Sequence, residues 1–326
     1  MVFAIIDFDW LKYTCAAVGE KRTILVTHTA SGREMEFKNR TEFYGSNKKG
    51  GWLAQRNANR TSPFEVSEFS ITDIQTPEPV EFALHTAKNM LERALRIAGT
   101  KKYRGYLGKG DSFRVEESTV LKYKGNRKDL IKPVHLEALT EYLIGRWKAE
   151  LVEGLEADDV CVIDCHKNDN ILVSVDKDYY GCAVNYLNMN SEKITACDTF
   201  GELTLNAKGD VKGYGRVFYY FQIASGDAID NYKANSASEI KWANKSAYNA
   251  LKGCKTDEEA VAKLVEVYKM LYPEPKTIKG WRGDDITVDW LYMLKENLNM
   301  ARMMTSYKDS FYSENDVLNW IDGKLF

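Results

Sequence analysis

Four acidic clusters recur along the chain: Asp7 in AIIDFD, Glu156, Asp158 and Asp159 in GLEADD, Asp176 and Asp178 in SVDKD, and Asp227 and Asp230 in GDAIDN. The first three each follow a short apolar run, VFAII, LVEGL and NILVSV. Such runs read as buried strands, which puts the acids just past the strands' carboxyl ends. In open α/β sheets, ligands bind at that edge. Like charges a few ångströms apart cannot all stay ionised, so converging carboxylates call for hard divalent cations such as Mg²⁺ or Mn²⁺. Two such ions about 3.5–4 Å apart form a clamp for in-line displacement at phosphorus, which points to phosphoryl or phosphodiester hydrolysis. One acidic pair alone would be an ordinary solvated surface feature; the weight lies in four clusters.

The chain's 326 residues, 44% hydrophobic and 12% aromatic, are ample for one large or two modest domains. No apolar run approaches the roughly 18 residues of a membrane span, and MVFAIIDFDW has no basic leader, so the reading is a cytoplasmic chain without a membrane partner. Six dispersed cysteines suit free thiols in a reducing compartment. Cys161, Cys165 and His166 lack a second Cys or His pair at matching spacing, which argues against zinc. The formal net charge of −2 hides uneven local charge. Lys101 to Lys132 holds ten Lys/Arg against four Asp/Glu, interleaved with Tyr103, Tyr106, Phe113 and Tyr123. Gly45 to Arg60 holds four basic residues, no acid and Trp52. Basic side chains neutralise phosphates and aromatic rings stack on unpaired bases, although two solvated loops would look the same.

Residues 23–29 and 33–40 flank a turn and suggest a hairpin; a polar loop then runs to about Pro79. Val80, Leu84, Ala87, Leu91, Leu95 and Ala98 recur at helical spacing before Gly99. A strand at 103–107, a basic helical stretch to about Arg127, a helix at 133–148 and a helix opening at Ala157 follow. Asp158 and Asp159 would lie in that last helix's first turn, where the macrodipole favours negative charge in any case. Alternating strands and helices predict an α/β fold with a mostly parallel central sheet and helices on both faces. From about Tyr214 the pattern turns helical: 214–225, 236–251, 256–272 with a Thr256/Glu259 capping box, and 287–304. The expected division is an α/β core over 1–213, with an insertion at about 23–62 and an arch at about 111–132, then a helical region over 214–326.

The order Asp7, FR (Phe113, Arg114), YKGNR (Tyr123 to Arg127), EADD, SVDKD and GDAIDN resembles the phage and bacterial 5′-nuclease family. That family holds 5′→3′ exonucleases and flap endonucleases of PIN-like fold with a helical arch, and is related to the nuclease domain of bacterial DNA polymerase I. The resemblance covers roughly residues 2 to 250 and implies a phage-type protein acting as a monomer on DNA with a 5′ end or 5′ flap, or on an RNA/DNA hybrid. It implies Asp7, Asp111, Glu156 and Asp158 as ligands of a first divalent ion. Asp176, Asp178, Asp227 and Asp230 would serve a second, with Asp159 near both. Lys124, Arg127 and Arg114 would act on the scissile phosphate. Tyr123, Lys128, Lys241 and Lys245 would hold DNA, with a potassium ion at a helix-hairpin following GDAIDN. The chain departs from the pattern at LGKGDSFR, where Asp111 stands only three residues before Arg114, and at YKANSASEIKWANKSAYNALKG, which lacks the hairpin's glycines.

Two other readings use the same residues. Asp7 and Asp9 could be the nucleophile and acid of a haloacid-dehalogenase-type phosphatase, which leaves EADD, SVDKD and YKGNR without roles. The chain could also be a catalytically silent nucleic-acid-binding module, although a silent copy would be expected to lose acids that are present here.

Overall fold

The strand Ala4–Asp7 lies in the middle of a six-stranded sheet. The computed structural model describes residues 2–46, 49–128, 130–167 and 169–323. Across the sheet the order is Lys193–Ala196, Asn185–Asn188, Ile171–Ser174, Ala4–Asp7, Tyr103–Ser112 and Glu150–Gly154. Every neighbouring pair is parallel except the edge strand Lys193–Ala196. The chain adds strands on one side of Ala4–Asp7 and then on the other, so that strand marks the topological switch point. The mostly parallel sheet read from the alternating pattern is therefore the one formed.

Register shows how the two faces are covered. Ile5 pairs with Arg104 and Asp7 with Tyr106, so these four side chains share one face. The helix Ala157–His166 lies there, its Asp164 accepting from Arg104 at 2.9 Å and from the Tyr106 hydroxyl at 3.0 Å. On the opposite face Gly105, beside Ile6, lies under the Phe8 ring, with no room for a Cβ.

The chain divides into two compact units: Met1–Leu11, Met90–Ile131 and Leu143–Phe326 form the larger, and Lys12–Asn89 and Lys132–Tyr142 the smaller. Position 213 falls inside the larger unit. There the helices Arg216–Ser225, Asn244–Leu251, Asp257–Leu271, Trp290–Ala301 and Glu314–Ile321 share a core that includes Phe221, Ile223, Leu264, Tyr268, Leu294 and Trp320. Thr256 caps the third of these by accepting from the Glu259 N–H at 3.3 Å. Two short hairpins were not foreseen: Glu202–Leu205 with Val211–Tyr214, and Lys276–Lys279 with Asp285–Val288.

In the smaller unit the hairpin of Glu20–His28 with Glu34–Phe37 forms as expected, but the polar loop to Pro79 does not. Phe69–Pro77 instead adds a third antiparallel strand along Glu20–His28. Alternation in FSITDIQTP was the overlooked signal. Trp52 packs with Phe37, Phe43 and Phe69 in an aromatic cluster, so it is a core ring and not a stacking platform. Asn47 and Lys48 of the basic stretch lie outside the described residues.

The expected helical arch is also absent from the described residues of 111–132. Past the short helix Phe113–Glu117 only a single 3-10 turn forms, Gly125–Arg127. Lys124 enters it with φ of 54°, which stops helix propagation, and the Lys124 N–H is tied to the Asp230 carbonyl at 2.9 Å.

Gly226 opens the loop carrying Asp227 and Asp230 at φ of 80°, and a Cβ there would run into the Tyr232 carbonyl and Lys233 Cα. Gly226→Ala is expected to destabilise the fold by about 1–3 kcal/mol, read as a lower denaturation midpoint.

Candidate metal centre at the carboxyl edge of the sheet

The functional side chains described here all belong to the larger unit. Asp7 ends the central strand and is only 3% exposed. Its Oδ1 accepts from the Asp9 N–H at 2.9 Å and its Oδ2 from the Ser174 hydroxyl at 2.9 Å. Glu156 caps the helix Ala157–His166, which places Asp158 in the first turn, where its Oδ1 accepts from the Tyr179 hydroxyl at 3.0 Å. Asp176, two residues past the next strand, accepts from the Asp178 N–H at 3.0 Å.

Asp7 and Asp158 have raised proton affinity, and Asp176 is among the charges that raise it. Burial, then the charges of Asp9 and Asp176, push Asp7 up to about 7 from its ordinary 3.8. Burial and the charges of Asp7, Asp176 and Glu156 push Asp158 well above the carboxylate range. No Lys or Arg hydrogen bond to Asp7, Asp158 or Asp176 is found among the described residues; their partners are hydroxyls and backbone amides.

The neighbouring acids are compensated. Lys177 Nζ lies 3.0 Å from Asp178 Oδ1 and also binds Asp227, which is held below its ordinary value by Lys177 against the cost of burial. Asp178 additionally accepts from the Gln222 amide at 2.6 Å. Burial and the charge of Asp176 still push Asp178 up to about 7. Glu156 accepts from Lys124, from Arg114 at 3.0 Å and from the Tyr123 hydroxyl at 3.0 Å; these cations outweigh burial and hold it below its ordinary value. Asp230 accepts from the Tyr123 hydroxyl at 2.9 Å and from Arg127 at 2.6 Å.

YKGNR and GDAIDN are thus one structure. Besides the Lys124 backbone contact, the Asn126 amide donates to the Ala228 carbonyl at 2.7 Å, and that of Asn231 to the Lys122 carbonyl at 3.0 Å. Asn231 has φ of 62°, a conformation Asn tolerates better than most residues.

Eight acids therefore meet electrostatically: Asp7, Asp9, Glu156, Asp158, Asp176, Asp178, Asp227 and Asp230. Two expected ligands do not join them. Asp111 is exposed, within the register irregularity between Lys109 and Ser112. Asp159 is fully buried and saturated: Oδ1 accepts from Arg114 at 2.7 Å and the Met304 N–H at 2.9 Å, and Oδ2 from Arg114 at 2.7 Å and the Glu156 N–H at 3.2 Å. All four lone-pair directions are taken.

Two basic or aromatic assignments, Arg114 and Tyr123, also change. Arg114 is 1% exposed and spends both terminal nitrogens on Asp159, Glu156 and the Arg302 carbonyl, so it is a buried anchor with no face toward a phosphate. Tyr123 is buried with its hydroxyl bridging Glu156 and Asp230, which excludes base stacking. Lys241 and Lys245 are exposed, but the helix expected from Ser236 begins at Asn244, because Asn235 and Ser238 turn the preceding chain by bonding the Ile240 and Leu271 carbonyls. Lys128 is exposed, and Lys124 and Arg127 stand at the cluster's rim. Sequence reading missed Lys177, Ser174, Tyr179 and Gln222; only Lys177, flanked by acids in DKD, carried a legible signal.

Among the described residues no three His, Cys, Asp or Glu side chains stand in ligating geometry, since each carboxylate is turned to a protein partner. The donor set nevertheless fits hard cations. It is all oxygen, it lies at the switch point, and Asp7, Asp158 and Asp176 accept no Lys or Arg hydrogen bond among the described residues.

No known family profile matches the chain, and no curated protein matches it. Among solved structures, the T5 D15 protein co-crystallised with metal ions superposes with a TM-score of 0.40 at 16% identity, covering 74% of this chain and 84% of that one. A mutant of the T5 5′-exonuclease gives 0.37 at 14% identity, over 74% and 82%. A bacteriophage T5 flap endonuclease variant in a pseudo-enzyme-product complex with DNA and metal ions gives 0.39 at 15%, over 74% and 81%. Fold and site together define an α/β protein with a carboxylate-rich switch point.

Arg114→Met would leave Asp159 a buried, unpaired charge, and is expected to cost about 3–5 kcal/mol in denaturant unfolding. A pH series tests the acids. Folded Asp7 and Asp178 keep protons up to about 7, whereas unfolded carboxyls release them near 3.8. The stability contributed by these two groups is therefore full below 3.8 and lost as pH rises through 7. Chelator-treated protein should melt at a lower temperature at pH 8 than at pH 5, and Mg²⁺ should restore more at pH 8.

Proposed function

We propose that this chain is a divalent-cation-dependent nuclease that hydrolyses phosphodiester bonds of duplex or branched DNA as a 5′→3′ exonuclease, with flap cleavage or cleavage of RNA paired to DNA as variants of the same chemistry. The observation that carries the reading is the convergence of Asp7, Asp158 and Asp176 at the switch point, with raised proton affinity at Asp7 and Asp158. Mg²⁺ or Mn²⁺ bound there, and a second ion at Asp178 and Asp227, would lower the pKa of an attacking water and offset charge on the phosphate. The 5′ polarity rests on the order of the motifs FR, YKGNR, EADD, SVDKD and GDAIDN.

The chain's own residues prepare that chemistry. Ser174 and Tyr179 fix the Asp7 and Asp158 carboxylates through hydrogen bonds, and Gln222 fixes Asp178, the kind of outer support that sets ligand direction. Lys124, half-buried on Glu156 and within the field of Asp158, sets a preorganised positive charge where a phosphate would gain negative charge. Arg127 and Lys128 extend the positive rim along the same loop. The phosphatase alternative fits less well, because it leaves the Glu156, Asp158, Asp176 and Asp178 carboxylates gathered beside Asp7 without roles.

A time course on 5′-labelled and 3′-labelled duplexes, with and without a 5′ flap, tests the reading. Early release of short products from the 5′ label in Mg²⁺ but not in EDTA, abolished in Asp158→Ala and Asp176→Ala, is the expected result. Lys124→Ala should slow single-turnover cleavage by about 10²–10³-fold while changing duplex affinity much less. No cleavage in any cation, with duplex still bound, would make the protein a binding module.

A further inference from the structure

Compensation at the acidic cluster is uneven. Asp7, Asp158 and Asp176 are held by hydroxyls and backbone amides, whereas Asp178 and Asp227 share the Lys177 ammonium. The Lys177 side chain is 52% exposed while Asp227 is 7% exposed, so an ammonium reaches into an acidic pair from the solvent side. The same lysine borders a cavity of about 620 Å³ lined also by Tyr180, Asn188, Asn190, Lys212 and Tyr214. That lining offers neutral hydrogen-bonding groups, a second ammonium and aromatic rings beside one carboxylate, Glu202, so two ammoniums against one acid leave it able to take a polynucleotide strand.

We propose that Lys177 is a displaceable internal cation that makes binding of the second divalent ion depend on the nucleic acid. In this account, which rests on the metal-centre reading above, the site at Asp7, Asp158 and Asp176 takes the first ion unaided. The second ion competes with the Lys177 ammonium for Asp178 and Asp227. A strand phosphate in the adjoining cavity offers that ammonium another partner, and drawing it away opens the acidic pair. Ion and strand therefore favour each other's binding, and the coupling is reciprocal. Lys177 acts here as a positioning residue, through Asp178 and Asp227.

The test is Mn²⁺ binding to chelator-treated protein, measured by calorimetry and by the paramagnetic signal of free Mn²⁺, with and without a phosphorothioate-protected duplex. Wild-type protein should bind one ion tightly and a second weakly, the second tightening by roughly 5- to 50-fold when the duplex is present. Lys177→Met should bind the second ion tightly without duplex and lose the tightening, while Lys177→Arg, which keeps the charge, should behave as wild type. An unchanged or weaker second ion in Lys177→Met, beside an intact first, would overturn the role of Lys177 alone. Absence of any Mn²⁺ binding in wild-type protein would overturn the metal-centre reading and this inference with it.

Discussion

Electrostatic repulsion among carboxylates at one sheet edge is the constraint to which the rest of the larger unit answers. Burying Asp7 and Asp158 while Asp176 faces both raises their proton affinity, a cost that a fold without use for it would be expected to relieve with apolar residues or a salt bridge. Around this core the chain arranges three kinds of support. Ser174, Tyr179 and backbone amides orient the acids without neutralising them; Lys124, Arg127 and Lys177 neutralise the outer ones; Arg114 locks Asp159 and with it the start of the helix that presents Asp158.

The separation of roles within EADD illustrates how local geometry divides chemically identical residues. Glu156 is the helix cap and faces the Lys124 loop, Asp158 points into the cluster, and Asp159 turns back to Arg114. Adjacent on the helix, Asp158 and Asp159 diverge by about 100°, whereas Glu156 and Asp159, three positions apart, lie near one face and share the Arg114 guanidinium. The same logic joins YKGNR to GDAIDN. Backbone and amide hydrogen bonds, not the basic charges alone, hold the two loops together, and the cations reach the acids as a consequence.

Much of this was legible in the sequence, for physical reasons. Apolar runs followed by Asp mark strand ends, and the strands at Asp7, Gly154 and Ser174 form where the runs predict them. Helices with strong apolar periodicity, such as Val80–Ile97 and Asp257–Leu271, also form close to their predicted spans. What failed were inferences from composition. Basic and aromatic residues between 101 and 132 read as a nucleic-acid surface, yet Tyr106 and Tyr123 are buried donors to carboxylates and Phe113 packs on Phe311. Charge and ring type do not say which way a side chain points. Arg114 looked like a phosphate-binding cation because its burial depends on Asp159 and the Arg302 carbonyl, the latter 188 positions away in sequence. For Lys177 the neighbouring acids of DKD were legible, but its pairing with Asp227, 50 positions away in sequence, was not.

Anomalous diffraction from crystals soaked in Mn²⁺ tests the central claim most directly. The account predicts a peak bounded by Asp7, Asp158 and Asp176, with Asp111 and Asp159 outside its coordination sphere. Mn²⁺ bound only elsewhere, or a peak coordinated by Asp159 in place of Asp158, would contradict it.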